Sequence, residues 1–154
     1  VVVTVVFLAL GQLGSRMFPR TGVSGFAPGL RAGERTKFTS LSDPDARKSG
    51  FPVPSSAEFI DAVGQASNTN SVMAMYRSDS MAPPQVAAFY STEMAGRGWE
   101  QDSRISNELN RHAPGIMLFF RRKQLECIVH VEDDSIGSKW VVIFGRKFFG
   151  GGKR

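Results

Sequence analysis

The seventeen residues from Pro83 to Trp99, PPQVAAFYSTEMAGRGW, constrain the fold more than any other stretch of the chain. Paired prolines suit a first helical turn, where their missing N–H groups cost little, and Asp79 and Ser80 ahead of them can supply turn and cap oxygens. Val86, Phe89, Tyr90 and Met94 then recur at steps of three, one and four, which makes one apolar stripe, while Gln85, Ser91, Thr92 and Glu93 fall largely elsewhere. Gly96 or Gly98 can take the left-handed conformation that closes a helix, and Trp99 opens the next segment. The spacing predicts a helix over 83–96 with one face to bury.

On both sides of this helix the pattern changes to a period of two. SVMAMYRS reads as a strand with Val72, Ala74 and Tyr76 on one face, preceded by the turn chemistry of ASNTN. PVPSSAEFIDAVGQ is ambiguous. Ser55 and Glu58 have capping-box spacing, which would start a short helix, whereas Phe59, Asp61 and Val63 alternate with Ile60 and Ala62 as a strand would; a strand and hairpin is preferred. After Trp99, WEQDSRI reads as a polar strand and SNELNRHAPG as a loop closed by Pro114-Gly115. IMLFFRR and LECIVHVE flank Lys123-Gln124 as a hairpin, and KWVVIFGRK is a last strand beyond the turn EDDSIGS. The expected fold is α+β: a two-layer ββαβββ arrangement, or αβαβββ, with an antiparallel sheet of 4–5 strands and the 83–96 helix on one face.

The string VAAFYSTEMAGRGW, in this order of elements, resembles small α/β domains of bacterial envelope and lipoprotein-like proteins. Those domains share a proline-containing lead-in, a strand, a helix of the form V-x-x-F-Y…G-W, and a β-meander. The pattern lands on Val86, Phe89, Tyr90, Met94, Gly98 and Trp99 and spans about residues 51–147. These are mostly packing positions, so they speak for fold and hardly for activity. The resemblance implies an extracytoplasmic, non-catalytic module. The chain lacks the cysteine that a lipidated member would carry near its start, which turns attention to an N-terminal helix as the tether.

VVVTVVFLAL supplies such a segment. Its ten residues would rise about 15 Å as a helix, half of a hydrocarbon core, and continuing through Gly11, Leu13, Met17 and Phe18 gives a marginal span. A membrane anchor over residues 1–18 is preferred to a cleaved signal peptide or a buried valine-rich strand. Arg16, Arg20, Arg31, Arg35 and Lys37 place the following segment on the cytoplasmic side by charge, whereas the resemblance places the domain in the periplasm; a single-pass protein with a periplasmic domain is expected. From residue 19 to 50 no period is sustained and Gly, Ser, Pro and Arg recur, as in an extended linker. The globular domain is then drawn at 51–149, with a basic tail at 150–154.

Charge is unevenly distributed. Lys and Arg against Asp and Glu number 7 and 3 in residues 1–50, 4 and 7 in 51–111, and 8 and 4 in 112–154. A basic excess confined to flanks and last strands does not make the aromatic-lined basic stripe of a nucleic-acid site, which disfavours nucleic acid as partner. Arg121, Arg122 and Lys123 form a compact basic hairpin tip, and Phe148-Phe149 beside GGGKR stand out in a tail; these five residues are the candidate contacts with a partner or an anionic surface. Catalytic chemistry has no motif here: there is no G-x-S-x-G, Gly96-Arg97-Gly98 lacks the strand-before-helix context of a phosphate loop, and His112 and His130 lack metal-ligand spacing. Cys127, the single cysteine, alternates with Leu125, Val129 and Val131 as a buried strand residue. No catalytic residue, metal or cofactor is therefore expected. The expectation is a membrane-anchored accessory subunit making protein–protein contacts in a bacterial envelope or membrane complex; the alternative is a soluble binding domain for an anionic ligand or nucleic acid.

Overall fold

Period-two segments can bury one face only by pairing, and the pairing here is more extensive than the alternation suggests. The computed structural model describes residues 38–65 and 68–146. In chain order the elements are β1 (Phe38–Ser40), α1 (Asp43–Arg47), β2 (Glu58–Gln65), β3 (Asn68–Ser78), α2 (Pro83–Gly96), β4 (Glu100–Gln101), α3 (Ser103–Asn110), β5 (Ile116–Arg122), β6 (Leu125–Asp133) and β7 (Ser138–Arg146). They form one seven-stranded sheet in the order β1-β2-β3-β7-β6-β5-β4, with every neighbouring pair antiparallel.

The α+β class stands, but seven strands replace the expected 4–5. β1, an edge of three residues too short to alternate, is one addition, and of the polar strand expected over WEQDSRI only Glu100–Gln101 forms β4, at the other edge. The ambiguous stretch before ASNTN is indeed a strand: β2 pairs with β3, Glu58 forms an ion pair with Arg77 at 2.8 Å, and a bulge between Phe59 and Asp61 turns Ile60 outward. The end of the expected linker is also structured. Leu41 N–H donates to the Ala62 carbonyl at 2.9 Å, α1 buries Ala46, and Tyr76 Oη donates to Asp43 Oδ1 at 3.0 Å.

One sheet face packs on α2, whose Val86, Tyr90 and Met94 are buried and whose Phe89 is half-buried. Beneath it lie Tyr76, Phe120, Cys127, Val129, Trp140 and Phe144. Tyr76 stacks on Trp140 at 6.1 Å, and Trp140 Nε1–H donates to Tyr90 Oη at 3.0 Å. The expected caps at Asp79 and Ser80 are not used. Ala82 is the N-cap, and because it has no side-chain oxygen only the return half of a capping box forms, Ala82 N–H donating to Gln85 Oε1 at 2.7 Å.

The opposite face carries a second helix where the end of the WEQDSRI strand and a loop were expected. Asp102 Oδ1 accepts from Ile105 N–H at 3.0 Å and so caps α3, whose Leu109 packs with Met117, Phe119 and Ile128. The two-layer expectation therefore gains a partial third layer. α3 also closes the open edge of β5: Ser106 Oγ accepts from Phe119 N–H at 3.0 Å, and Asn110 accepts from Met117 N–H at 2.7 Å while donating to its carbonyl at 3.0 Å. Side chains one turn apart thus stand in for a neighbouring strand on an edge that would otherwise offer free backbone groups.

Among the described residues no helix is long and apolar enough to cross a membrane. The expected anchor at 1–18, the linker up to residue 37, Phe148, Phe149 and the basic tail lie outside the described residues.

Candidate functional site at the basic end of the sheet

Strand directions sort the turns by end. Leu125 is opposite Arg146 and Arg122 opposite Leu125, so the β5–β6 turn and the finish of β7 share one end of the sheet. The β2–β3 turn lies there too, since Ser71 is opposite Gly145, and so does the start of β1, with Phe38 opposite Gln65. At the other end, Asp133 pairs with Ser138 and Ser138 with Ser78, which gathers Asp79 and the acidic turn Glu132-Asp133-Asp134.

The hairpin tip holds the three expected basic residues together, but adjacent strand residues point to opposite faces. Arg121 lies on the α3 side, with Nη1 3.1 Å from Asp102 Oδ2, Nε 3.6 Å from Glu126 Oε1, and its guanidinium 5.0 Å from the Phe119 ring centre. Glu126 is only 2% exposed, and a carboxylate so placed needs a cation beside it. Arg122 lies on the α2 side, 4.8 Å over the Trp99 ring, and donates from Nη1 to the Arg97 carbonyl at 3.1 Å. That carbonyl sits at the C-terminus of α2, where the helix dipole favours a cation. Arg97 itself reaches Glu93 at 3.8 Å and the Gly50 carbonyl at 3.4 Å. Lys123 occupies the turn with φ 55°, exposed and without an ion-pair partner among the described residues. Two of the three tip cations therefore fasten neighbouring elements, a use that their place in the sequence does not reveal.

Beside the tip, Glu100, Gln101, Asp102, Ser103 and Arg121 line an open cleft of about 330 Å³. Its polar groups have structural duties: Asp102 caps α3 and pairs with Arg121, and Gln101 Oε1 accepts from Ser91 Oγ at 3.0 Å. The N-terminus of α2 is closed to anions as well. Pro83 and Pro84 lack N–H groups, and those of Gln85 and Val86 both bond the Ala82 carbonyl.

Polar and titratable side chains away from the tip are also held in structural contacts. Arg47 Nε donates to Asp43 Oδ1 at 2.8 Å and holds that carboxyl below its usual range, aided by the Tyr76 hydroxyl and opposed by burial. Burial and the neighbouring Asp43 push the Tyr76 phenol above its ordinary value. Burial does the same to Tyr90, partly offset by the Trp140 hydrogen bond, and to the Cys127 thiol, which lies in β6 as a fully buried side chain. His130, on the face away from Cys127, is 6% exposed with Nε2 2.6 Å from the Pro114 carbonyl and 3.4 Å from Glu132. His112 stands in an exposed turn 3.3 Å from Glu108. Among the described residues no group of three His, Cys, Asp or Glu side chains could hold a metal ion.

The START domain-like family matches residues 59–137, just over half of the chain, and the chain belongs to that family. The match runs from β2 to the β6–β7 turn, and so bears out the small α/β domain that the helix motif implied. Comparison with curated proteins and with solved structures gives no match.

Proposed function

We propose that this domain is a non-catalytic accessory module, held at a bacterial membrane by the apolar segment at 1–18 and making protein–protein contacts within an envelope or membrane complex. The observation that carries the reading is the half-covered sheet face. α3 packs on β5, its Leu109 joining Ile128 of β6, and Ile143 of β7 borders that cluster, while Val63 and Met73, its neighbours in register on β2 and β3, stay half-buried outside both apolar clusters. A contiguous apolar strip of this kind is a contact surface when a partner covers it. The polar groups support the same reading, because Asp102, Arg121 and His130 are each engaged in holding elements together.

The test uses the full chain extracted from its native membrane in mild detergent. Its particle is expected to be larger than a detergent-bound monomer, and Met73→Asp with Ile143→Asp should return it to monomer size without changing the circular dichroism spectrum. A wild-type chain that already runs as a monomer contradicts the proposal.

A further inference from the structure

Two helices share one face of the sheet and divide it unequally. α2 lies over β4, β5, β6 and β7, and α1 lies over β2 and β3. At five residues α1 is too short to be stable by itself, and the pairs that order its side chains, Arg47 with Asp43 at 2.8 Å and Lys48 with Asp45 at 2.6 Å, are exposed. β1 before it is an edge strand of three residues, with Thr39 and Ser40 exposed. Among the described side chains, the apolar anchors of residues 38–50 are small. Ala46 is fully buried, and the half-buried Leu41 rests on Gly64, where a β-carbon would come within 2.6 Å of its Cδ1. The Tyr76 hydroxyl adds a polar hold, donating to Asp43 Oδ1 at 3.0 Å, with the Arg47 guanidinium 5.9 Å from the same ring centre.

What lies beneath is larger than what holds it. Tyr76 is fully buried in an aromatic row, 5.7 Å from Phe59, 6.3 Å from Phe51 and 6.1 Å from Trp140. Gly50 ends the segment at φ 86°, a conformation that favours glycine, with open space where a side chain would stand. We infer that residues 38–50 are a strap that lifts from β2 and β3 as a unit, turning at Gly50 and latched by Asp43 on Tyr76, while β2 to β7 and α2 remain folded. A segment with small buried anchors and exposed bonds opens at a lower free energy than the strands it covers. Lifting it bares the edge of β2 and the Phe59 and Tyr76 part of the aromatic row beside α2. The strap therefore governs access to an apolar surface on the face opposite to the one that carries α3.

Amide hydrogen exchange of the wild-type full-length chain tests this. Ala46 N–H, bonded to the Ser42 carbonyl at 2.9 Å, is expected to exchange at least about a hundredfold faster than Val129 N–H in β6. Tyr76→Phe, which keeps the ring and removes the latch, should speed exchange at Ala46 about tenfold. Tyr90→Phe weakens a core bond to Trp140 that stays closed when the strap lifts, so it should speed Val129 and leave Ala46 unchanged. Equal protection at Ala46 and Val129, or a Tyr90→Phe that speeds both alike, means that the segment opens only with the whole fold and overturns the strap. Exchange at Ala46 indifferent to Tyr76→Phe overturns the latch. Departure of the side chain is read separately with Ala46→Cys, whose thiol should be alkylated under native conditions well before Cys127, fully buried in β6. Alkylation of the two thiols together overturns the strap as well.

Discussion

Trp140 Nε1–H and Tyr90 Oη meet inside the core 3.0 Å apart, and both residues are almost fully buried. Removing the acceptor leaves an indole donor with no water to bond. Tyr90→Phe should therefore cost about 1–3 kcal/mol in urea denaturation, and Trp140→Phe added to it should cost less than the sum of the two single changes. Asp43 gives a pH-dependent counterpart. Its carboxyl is lowered chiefly by Arg47, so its contribution is present above the unfolded value of about 3.9 and is lost as pH falls through the lower folded value. Thermal melts between pH 7 and pH 2 should show wild type losing its advantage over Asp43→Asn only below about pH 4. A gap between the two proteins that stays constant across that range would remove the ion pair from the account.

The elements divide by how repetitively their sequences are written. α2 was legible because Val86, Tyr90 and Met94 repeat at helical spacing between prolines and glycines, and β5, β6 and β7 because their apolar runs flank obvious turns. α3 was not: Ile105 and Leu109 give it only two apolar positions, and its other inward residues, Ser106 and Asn110, read as loop chemistry. Their purpose appears only when β5 lies beside them. Asn110→Ala removes both bonds to Met117 and should cost about 1–3 kcal/mol. Amide hydrogen exchange should show faster exchange at Met117 while β6 is unaffected, and unchanged protection there would mean that the edge is closed by something else. β1 escaped notice for a related reason, since three residues cannot display a period, while β4 keeps only two residues of the polar strand expected over WEQDSRI. The candidate site was legible as composition and not as geometry. RRK marks a basic tip, but the partners of Arg121 and Arg122 lie at Asp102, Glu126, Trp99 and Arg97, and no local signal links them.

At the scale of the whole molecule, the strand order makes the end of the chain central to the fold. The family match stops at Gly137, yet β7 begins at Ser138 and sits between β3 and β6, pairing with both along its length. A fragment ending at residue 137 should show no cooperative thermal transition, whereas one spanning 38–146 should melt cooperatively; folding of the shorter fragment would contradict the topology. The same order brings the start of β1 and the finish of β7 to one end of the sheet and leaves Val63 and Met73 half-buried on one face. The proposed module, which would offer part of a sheet face to a neighbour, rests on residues 1–18 holding it at a membrane. The measurement that bears most directly on this is fractionation of the full-length chain, with Val5→Lys and Leu8→Lys as the comparison. The account predicts that wild type stays with membranes through high salt and alkaline carbonate and that the doubly substituted chain moves to the supernatant. Recovery of the wild-type chain in the soluble fraction would contradict it.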